Sequence, residues 1–275
     1  MIATESTFPG AGGVTLHTAV WAPDAGPIAD LVLIHGLGEH SGRYVPVAEA
    51  LTAAGFQVAA LDLRGHGRTT GVERGVIDDF DLLIDDALRF VASVRTARPL
   101  FVYGHSMGGL AAVRLAERSQ DGIAGFVITG PALVAAESIP KILVKIVNFV
   151  GKIVPRLKTI SLEGDAISRV QSVRDDYDRD PLNYRGKIRA GTARQMNITM
   201  AKALAEAGRI TKPILILHGD ADRLASPAGS RKLDELVASS DRTLRIWPGA
   251  YHELHHEPER EEVLQTIITW LKARI

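Results

Sequence analysis

Residues 101–109 read Phe101-Val102-Tyr103-Gly104-His105-Ser106-Met107-Gly108-Gly109, and the architecture follows from them. A short β-rich run ends in Gly-x-Ser-x-Gly, and a helix-forming run, Leu110 to Glu117, follows at once. Strand, sharp turn and helix is the context in which this pattern makes a nucleophile elbow. The turn strains the backbone of Ser106 and lifts its hydroxyl clear of the sheet. Gly104 and Gly108 leave room for neighbouring backbone to pass close by. Met107 opens the helix, so its N–H is a free donor beside a positive helix end. The bland alternative is a glycine-rich loop that happens to hold a serine; it leaves the partner residues described below unexplained.

Outward from the elbow, strands and helices alternate. Val14 to Trp21 reads as an antiparallel strand. Leu31-Val32-Leu33-Ile34 is a continuous apolar run, the pattern of a strand buried on both faces of a parallel sheet. A loop, His35 to Gly42, leads to a helix from about Arg43 to Ala54. Val58 to Leu61 is the next strand, followed by a helix over Asp78 to Thr96. The elbow strand and its helix, reaching about Ser119, precede a strand at Phe126 to Thr129. At Pro131 the rhythm breaks; it resumes at Pro213 with the strand Ile214 to Leu217, a helix over Pro227 to Ala238, a strand at Leu244 to Trp247 and a last helix over Pro258 to Ala273. This pattern predicts an α/β fold with a mostly parallel sheet covered on both faces. Residues 1–131 and 209–275 form the core, and 132–208 form an inserted, mainly helical cap.

Within the cap, residues 139–154 predict a helix that Ser138 caps and Pro140 opens. Lys141, Lys145, Asn148 and Lys152 fall in one stripe about 60° wide at 100° per residue. Nearly all the rest of the circumference is Ile, Leu, Val or Phe. That exceeds the apolar face of an ordinary surface helix. Burial inside the cap accounts for part of it; the excess calls for an acyl chain, a membrane surface or a second copy in a homodimer.

A serine hydroxyl becomes a nucleophile when an imidazole takes its proton and an anion orients that imidazole. After a Gly-x-Ser-x-Gly elbow the chain order is Ser, then Asp or Glu, then His. Two later loops, each at the C-terminal end of a strand, supply these groups. His218-Gly219-Asp220-Ala221-Asp222 offers two carboxylates, and Tyr251-His252-Glu253-Leu254-His255-His256 offers three imidazoles; position alone leaves both choices open. An oxyanion needs two preorganised donors: Met107 N–H is one, and the loop after Leu31–Ile34 points to Leu37 for the other. The run His252 to His256 also matches H-E-x-x-H, a zinc-protease pattern that requires a continuous helix. Pro248-Gly249 and Pro258 leave barely one turn, and no third ligand stands downstream, so no metal is expected. His17, His66 and His105 read as packing or loop residues, and Asp62 as the anchor of its own loop.

Composition removes other classes. Lys plus Arg equals Asp plus Glu at 32 each, so no global field attracts nucleic acid or acidic lipid. With no cysteine there is no thiol nucleophile and no thiolate metal site. Neither a secretory signal nor a run of about 18 apolar residues stands out. The expectation is a cytoplasmic protein.

Together, His35-Gly36-Leu37-Gly38-Glu39-His40-Ser41-Gly42-Arg43-Tyr44, Asp62-Leu63-Arg64-Gly65-His66-Gly67-Arg68, the elbow, Asp220 to Leu224, Tyr251-His252-Glu253 and Tyr177-Asp178-Arg179-Asp180-Pro181-Leu182 resemble the monoacylglycerol lipase branch of the α/β-hydrolases. That branch includes lysophospholipase-like and serine-aminopeptidase-like relatives. The resemblance implies Ser106, Asp222 and His252 as catalytic triad, Leu37 and Met107 as oxyanion donors, and Glu39, Arg43, Tyr177 and His255 as groups that recognise the glycerol. It implies cleavage of a monoacylglycerol, or a similar single-chain lipid ester, to fatty acid and glycerol through an acyl-enzyme, with no cofactor. Membrane contact would run through helix 139–154, with no nucleic acid involved. The runner-up is a lysophospholipase or broad carboxylesterase; a phosphocholine head would need an aromatic cage, and aromatics are only 5% of the chain. A non-catalytic ligand-binding relative is the remote alternative. Glu39 and Arg43 also fit a structural ion pair within their loop.

Overall fold

A computed structural model describes residues 2–136, 139–159, 161 and 164–275. Among these, eight strands form one sheet: β1 (Thr4–Pro9), β2 (Thr15–Trp21), β3 (Ala29–Ile34), β4 (Phe56–Leu61), β5 (Leu100–His105), β6 (Gly125–Thr129), β7 (Ile214–Gly219) and β8 (Arg242–Trp247). Their spatial order is β1-β2-β4-β3-β5-β6-β7-β8. β1 and β2 run antiparallel at one edge, and every pairing from β4 through β8 is parallel.

Alternation along the strands divides the core in two. Val32, Ile34, Ala59, Leu61 and Val102 pack on one face with α2 (Phe80–Val94), α3 (Met107–Arg118) and α7 (Pro227–Leu236). Leu31, Leu33, Val58, Ala60, Phe101 and Tyr103 pack on the other with α1 (Val45–Ala53) and α8 (Arg260–Lys272). From β3 the chain winds outward to β4 and then returns to the opposite side of β3 as β5. The loops leaving β3 and β5 therefore diverge and open a crevice at their C-terminal ends, where open α/β sheets bind ligands.

Between β6 and β7 lie α4 (Lys141–Ile153), α5 (Gln171–Arg179) and α6 (Ala190–Glu206), without a named strand among the described residues. α6 packs on α3, and α4 packs on α6. The α4–α6 seam is close: a Cβ on Gly151 would lie 2.3 Å from the carbonyl oxygen of Ala190. Ser138, expected to cap α4, lies outside the described residues; Pro140 occupies the capping position. The helix begins two residues later than expected.

The apolar circumference of α4 divides into two arcs. Val144, Val147 and Val150 line a cavity toward α6, whereas Ile142 (65% exposed), Phe149 (66%) and Ile153 (61%) face solvent. Asn148 does not join the exposed polar stripe: its side-chain oxygen accepts a 2.8 Å bond from the Asn197 amide on α6. No helix among the described residues is long and apolar enough to cross a membrane.

Candidate active site

Ser106 is the one described non-glycine residue with positive φ (55°, ψ −117°). L-residues avoid this region, and such strain persists only where the surroundings enforce it. Backbone proximity does so here. A Cβ on Gly108 would meet the Ile34 carbonyl oxygen at 2.1 Å, and one on Gly104 the Gly108 carbonyl oxygen at 2.4 Å. α3 therefore starts hard against β3 and β5, and Ser106 projects over the crevice.

Ser106 Oγ lies 2.8 Å from His252 Nε2, and His252 Nδ1 lies 2.6 Å from Asp222 Oδ2. Of the two competing carboxylates, Asp222 is the buried one in contact with His252; Asp220 turns away and accepts from the Gly249 N–H at 2.5 Å. Asp222 Oδ1 accepts from the N–H groups of Leu224 (2.7 Å) and Ala225 (2.9 Å). Its Oδ2 also meets His218 Nε2 at 3.0 Å, whose Nδ1 faces Ser230 Oγ at 2.7 Å. Burial alone would raise the Asp222 pKa, but His252 and His218 outweigh it and hold the carboxyl far below the usual range. For His252, burial opposes protonation, and the Asp222 carboxylate outweighs it, so the imidazole pKa is raised. The brace from His218 escaped sequence reading, although it stands one helical turn's spacing before Asp222.

The first oxyanion candidate, Met107, is the first residue of α3, so its N–H has no intrahelical partner. The second, Leu37, is aimed by a relay. Leu63 N–H donates to His35 Nε2 (2.9 Å), leaving the proton on Nδ1, which donates to the Gly36 carbonyl (2.7 Å). In a trans peptide the N–H points opposite the carbonyl, so this bond orients the Leu37 N–H. Burial lowers the His35 pKa to about 4, keeping the ring neutral.

The four expected recognition residues separate. Glu39 is buried and committed: Oε1 accepts from Gly36 N–H and the Tyr44 hydroxyl, both at 2.6 Å, and Oε2 from Arg43 at 2.7 Å. Arg43 also grips Glu253 through two bonds of 2.6 and 2.8 Å, and its guanidinium stacks 4.8 Å from the Tyr177 ring centre. Glu39, Arg43, Tyr177 and Glu253 line a chamber of about 90 Å³ with Ser106 and His252. His255 does not line it. It is 1% exposed, stacked 4.8 Å from the Tyr44 ring, because the single 3-10 turn over Leu254–His256 rotates it inward. That short turn also separates the two histidines of H-E-x-x-H: His252 faces Ser106, while His256 Nδ1 contacts Glu253 Oε2 at 2.8 Å. Glu253, His255 and His256 sit close enough to share an ion, but Arg43 and His256 already occupy the Glu253 carboxylate. Glu253, legible in the sequence only as part of a motif, is a second residue whose role no local pattern announced. His105 packs between His252 and His255 with Nδ1 on Thr129, and Asp62 anchors its loop by accepting from Ser41 and Arg68.

A larger apolar cavity, about 460 Å³, opens between α4 and α6. Leu37, Met196, Met200 and Leu224 line both spaces, so the cavity lies directly beside the Ser106 chamber.

The fold and this site define an α/β-hydrolase, and the chain belongs to the family described as serine aminopeptidase, S33, whose model matches residues 25–259. Among curated relatives it is 38% identical to a monoacylglycerol lipase of Mycolicibacterium smegmatis, over 99% of this chain and 98% of that one. It is 35% identical to human monoglyceride lipase, over 96% and 89%. A solved Paleococcus ferrophilus monoacylglycerol lipase superimposes with a TM-score of 0.84 at 35% identity, covering 94% of this chain and 99% of that one.

Proposed function

We propose that this chain hydrolyses monoacylglycerol to fatty acid and glycerol through an acyl-enzyme on Ser106. The observation that carries the reading is two adjacent spaces beside one serine: a small chamber, largely apolar but with Glu39, Arg43, Tyr177 and Glu253 in its wall, and a larger apolar cavity between α4 and α6. One acyl chain occupies the cavity and a short polyol fits beside Arg43 and Tyr177. Residues 1–131 and 209–275 act as core and 132–208 as cap. His252 takes the Ser106 proton as Oγ attacks the ester carbonyl, then delivers it to the leaving glycerol oxygen. Asp222 holds the imidazole with Nε2 free to accept. Leu37 and Met107 stabilise the oxyanion, each contributing about 3 kcal/mol. Water then attacks the acyl-enzyme by the same route in reverse. An aminopeptidase would need a free carboxylate to grip the substrate amine, whereas Glu39 and Glu253 are both engaged by Arg43.

The test is turnover of purified protein on a monoacylglycerol, a diacylglycerol, a lysophospholipid and an aminoacyl amide. The monoacylglycerol is turned over best; preference for the lysophospholipid would displace the substrate while sparing the chemistry. Two substitutions on α4 separate acyl binding from surface docking. Val150→Glu, inside the cavity, raises KM for long-chain esters about tenfold and leaves butyryl esters unchanged. Phe149→Glu, on the exposed arc, halves or more the fraction sedimenting with phospholipid vesicles and spares dispersed substrates; unchanged sedimentation removes the membrane role.

The pH profile follows from His252. The base must be neutral, so kcat/KM falls as pH drops through its pKa, which lies above the ordinary value of 6.5. The acid limb therefore centres above pH 6.5, and replacing Asp222 by Asn moves it to lower pH. An acid limb below 6.5 in the parent protein contradicts the assignment.

A further inference from the structure

The loop bearing Leu37 is held from above as well as from below. The Gly38 carbonyl accepts from the Tyr184 N–H at 2.8 Å and from the Tyr177 hydroxyl at 3.3 Å. His40 Nδ1 accepts from the Gly42 N–H at 3.1 Å, which leaves the ring proton on Nε2 to bond Asp180 Oδ2 at 2.8 Å. Tyr177, Asp180 and Tyr184 all belong to the segment between β6 and β7, not to the sheet that carries Ser106.

The strap from Asp180 to Tyr184 is itself anchored. Asp180 Oδ1 accepts from the Leu182 N–H at 2.8 Å, and the Asn183 amide donates to the Tyr177 carbonyl at 3.0 Å. From the core, Arg74 donates to the carbonyls of Pro181 and Leu182. The Tyr184 ring sits so close over Gly75 that a Cβ there would lie 2.4 Å away. Gly38 itself has φ 78°, so the loop pivots at the residue the strap holds. Below, His35 orients the Gly36–Leu37 peptide; above, the strap fixes the Gly38–Glu39 peptide. An oxyanion donor acts only when it is placed before the charge develops, and small misplacements are costly.

We propose that the strap makes Asp180 and Tyr177 positioning residues for the Leu37 donor, so that the segment over the site completes the oxyanion hole as well as covering it. This rests on the serine-hydrolase reading above. It sets Asp180 apart from the acyl cavity: its loss impairs every ester alike, whatever the chain length.

The test compares Asp180→Ala and Asp180→Asn with the parent protein on p-nitrophenyl butyrate, a soluble ester too short to need the cavity, and measures affinity for a trifluoromethyl ketone, which forms a tetrahedral adduct on the serine. Asp180→Ala lowers kcat about 10- to 100-fold, below the full loss of one donor, with KM within about twofold. The ketone weakens by the same factor. Asp180→Asn recovers part of both, because its one amide oxygen still accepts from His40 while its NH₂ is left facing the Leu182 N–H. Unchanged kcat in a folded Asp180→Ala overturns the proposal, as does a kcat loss without weakened ketone binding. If that variant does not fold, Tyr177→Phe carries the test by removing one hydroxyl; a several-fold matched loss of kcat and ketone affinity supports the strap, and no loss overturns it. Turnover surviving in Ser106→Ala would instead bring down the serine-hydrolase reading itself.

Discussion

Asp222→Asn lowers kcat by about 10⁴-fold, the loss expected when the orienting acid of such a triad becomes an amide, while the protein stays folded. The magnitude has a structural cause. Oδ1 faces two backbone N–H donors and Oδ2 faces His252 and His218. An amide must therefore turn its NH₂ toward donors on one side. Facing the imidazoles, it forces the His252 proton onto Nε2, where the ring can no longer accept from Ser106. Burst kinetics with a chromogenic ester reads this directly: acylation slows, and the Tm moves little. A kcat within tenfold of the parent would mean that Asp222 does not orient the base.

Arg43→Met produces the largest loss of stability. Arg43 bridges Glu39 and Glu253, both buried, and removing it takes the guanidinium from two carboxylates in a low-dielectric site, leaving Glu39 only neutral donors and Glu253 only His256. Breaking a buried pair from one side costs about 3–5 kcal/mol, roughly a 10 °C fall in Tm for a chain of this size. Adding Glu253→Gln to Arg43→Met recovers part of it, because the two positions share one network. Activity falls as well, since Glu39 also holds the Gly36 N–H at the base of the oxyanion loop. In the parent protein burial opposes ionisation of Glu253, but Arg43 outweighs it and holds its pKa well below 4.5. The stability from this depressed pKa is therefore complete above pH 4.5 and lost as pH falls through the folded-state value. A Tm within 2 °C of the parent in Arg43→Met would show that the network carries little stability.

Much of this was legible because it depends on local pattern. The continuous apolar runs at Leu31 and Ile214, each four residues long and flanked by loop signals, have the pattern of strands buried on both faces, and the elbow marks where the sheet meets its ligand. β1 left no such trace: Thr4–Pro9 is mostly polar and almost wholly exposed, and it is held by backbone pairing with β2, a Glu5–His17 contact and the packing of Phe8 on Phe90. Asp220 and Asp222 were equivalent in sequence, since what separates them is the direction each side chain takes at the end of β7. His255 shows the reverse failure. A family pattern places it near the alcohol, yet a single 3-10 turn buries it behind Tyr44. Glu253 and the Asp180 strap depend on contacts across 210 and 140 residues of chain. Spacing carries no information over such distances.

On the proposed mechanism, Ser106 becomes acylated by monoacylglycerol. The direct measurement is intact mass after rapid acid quench of purified protein mixed with a long-chain monoacylglycerol, with the parent and Ser106→Ala in parallel. The expected result is one added acyl group on the Ser106 peptide of the parent, glycerol released in a burst, and turnover in Ser106→Ala reduced by about 10⁶-fold. Turnover persisting in Ser106→Ala, or an acyl group found on another residue, would contradict it.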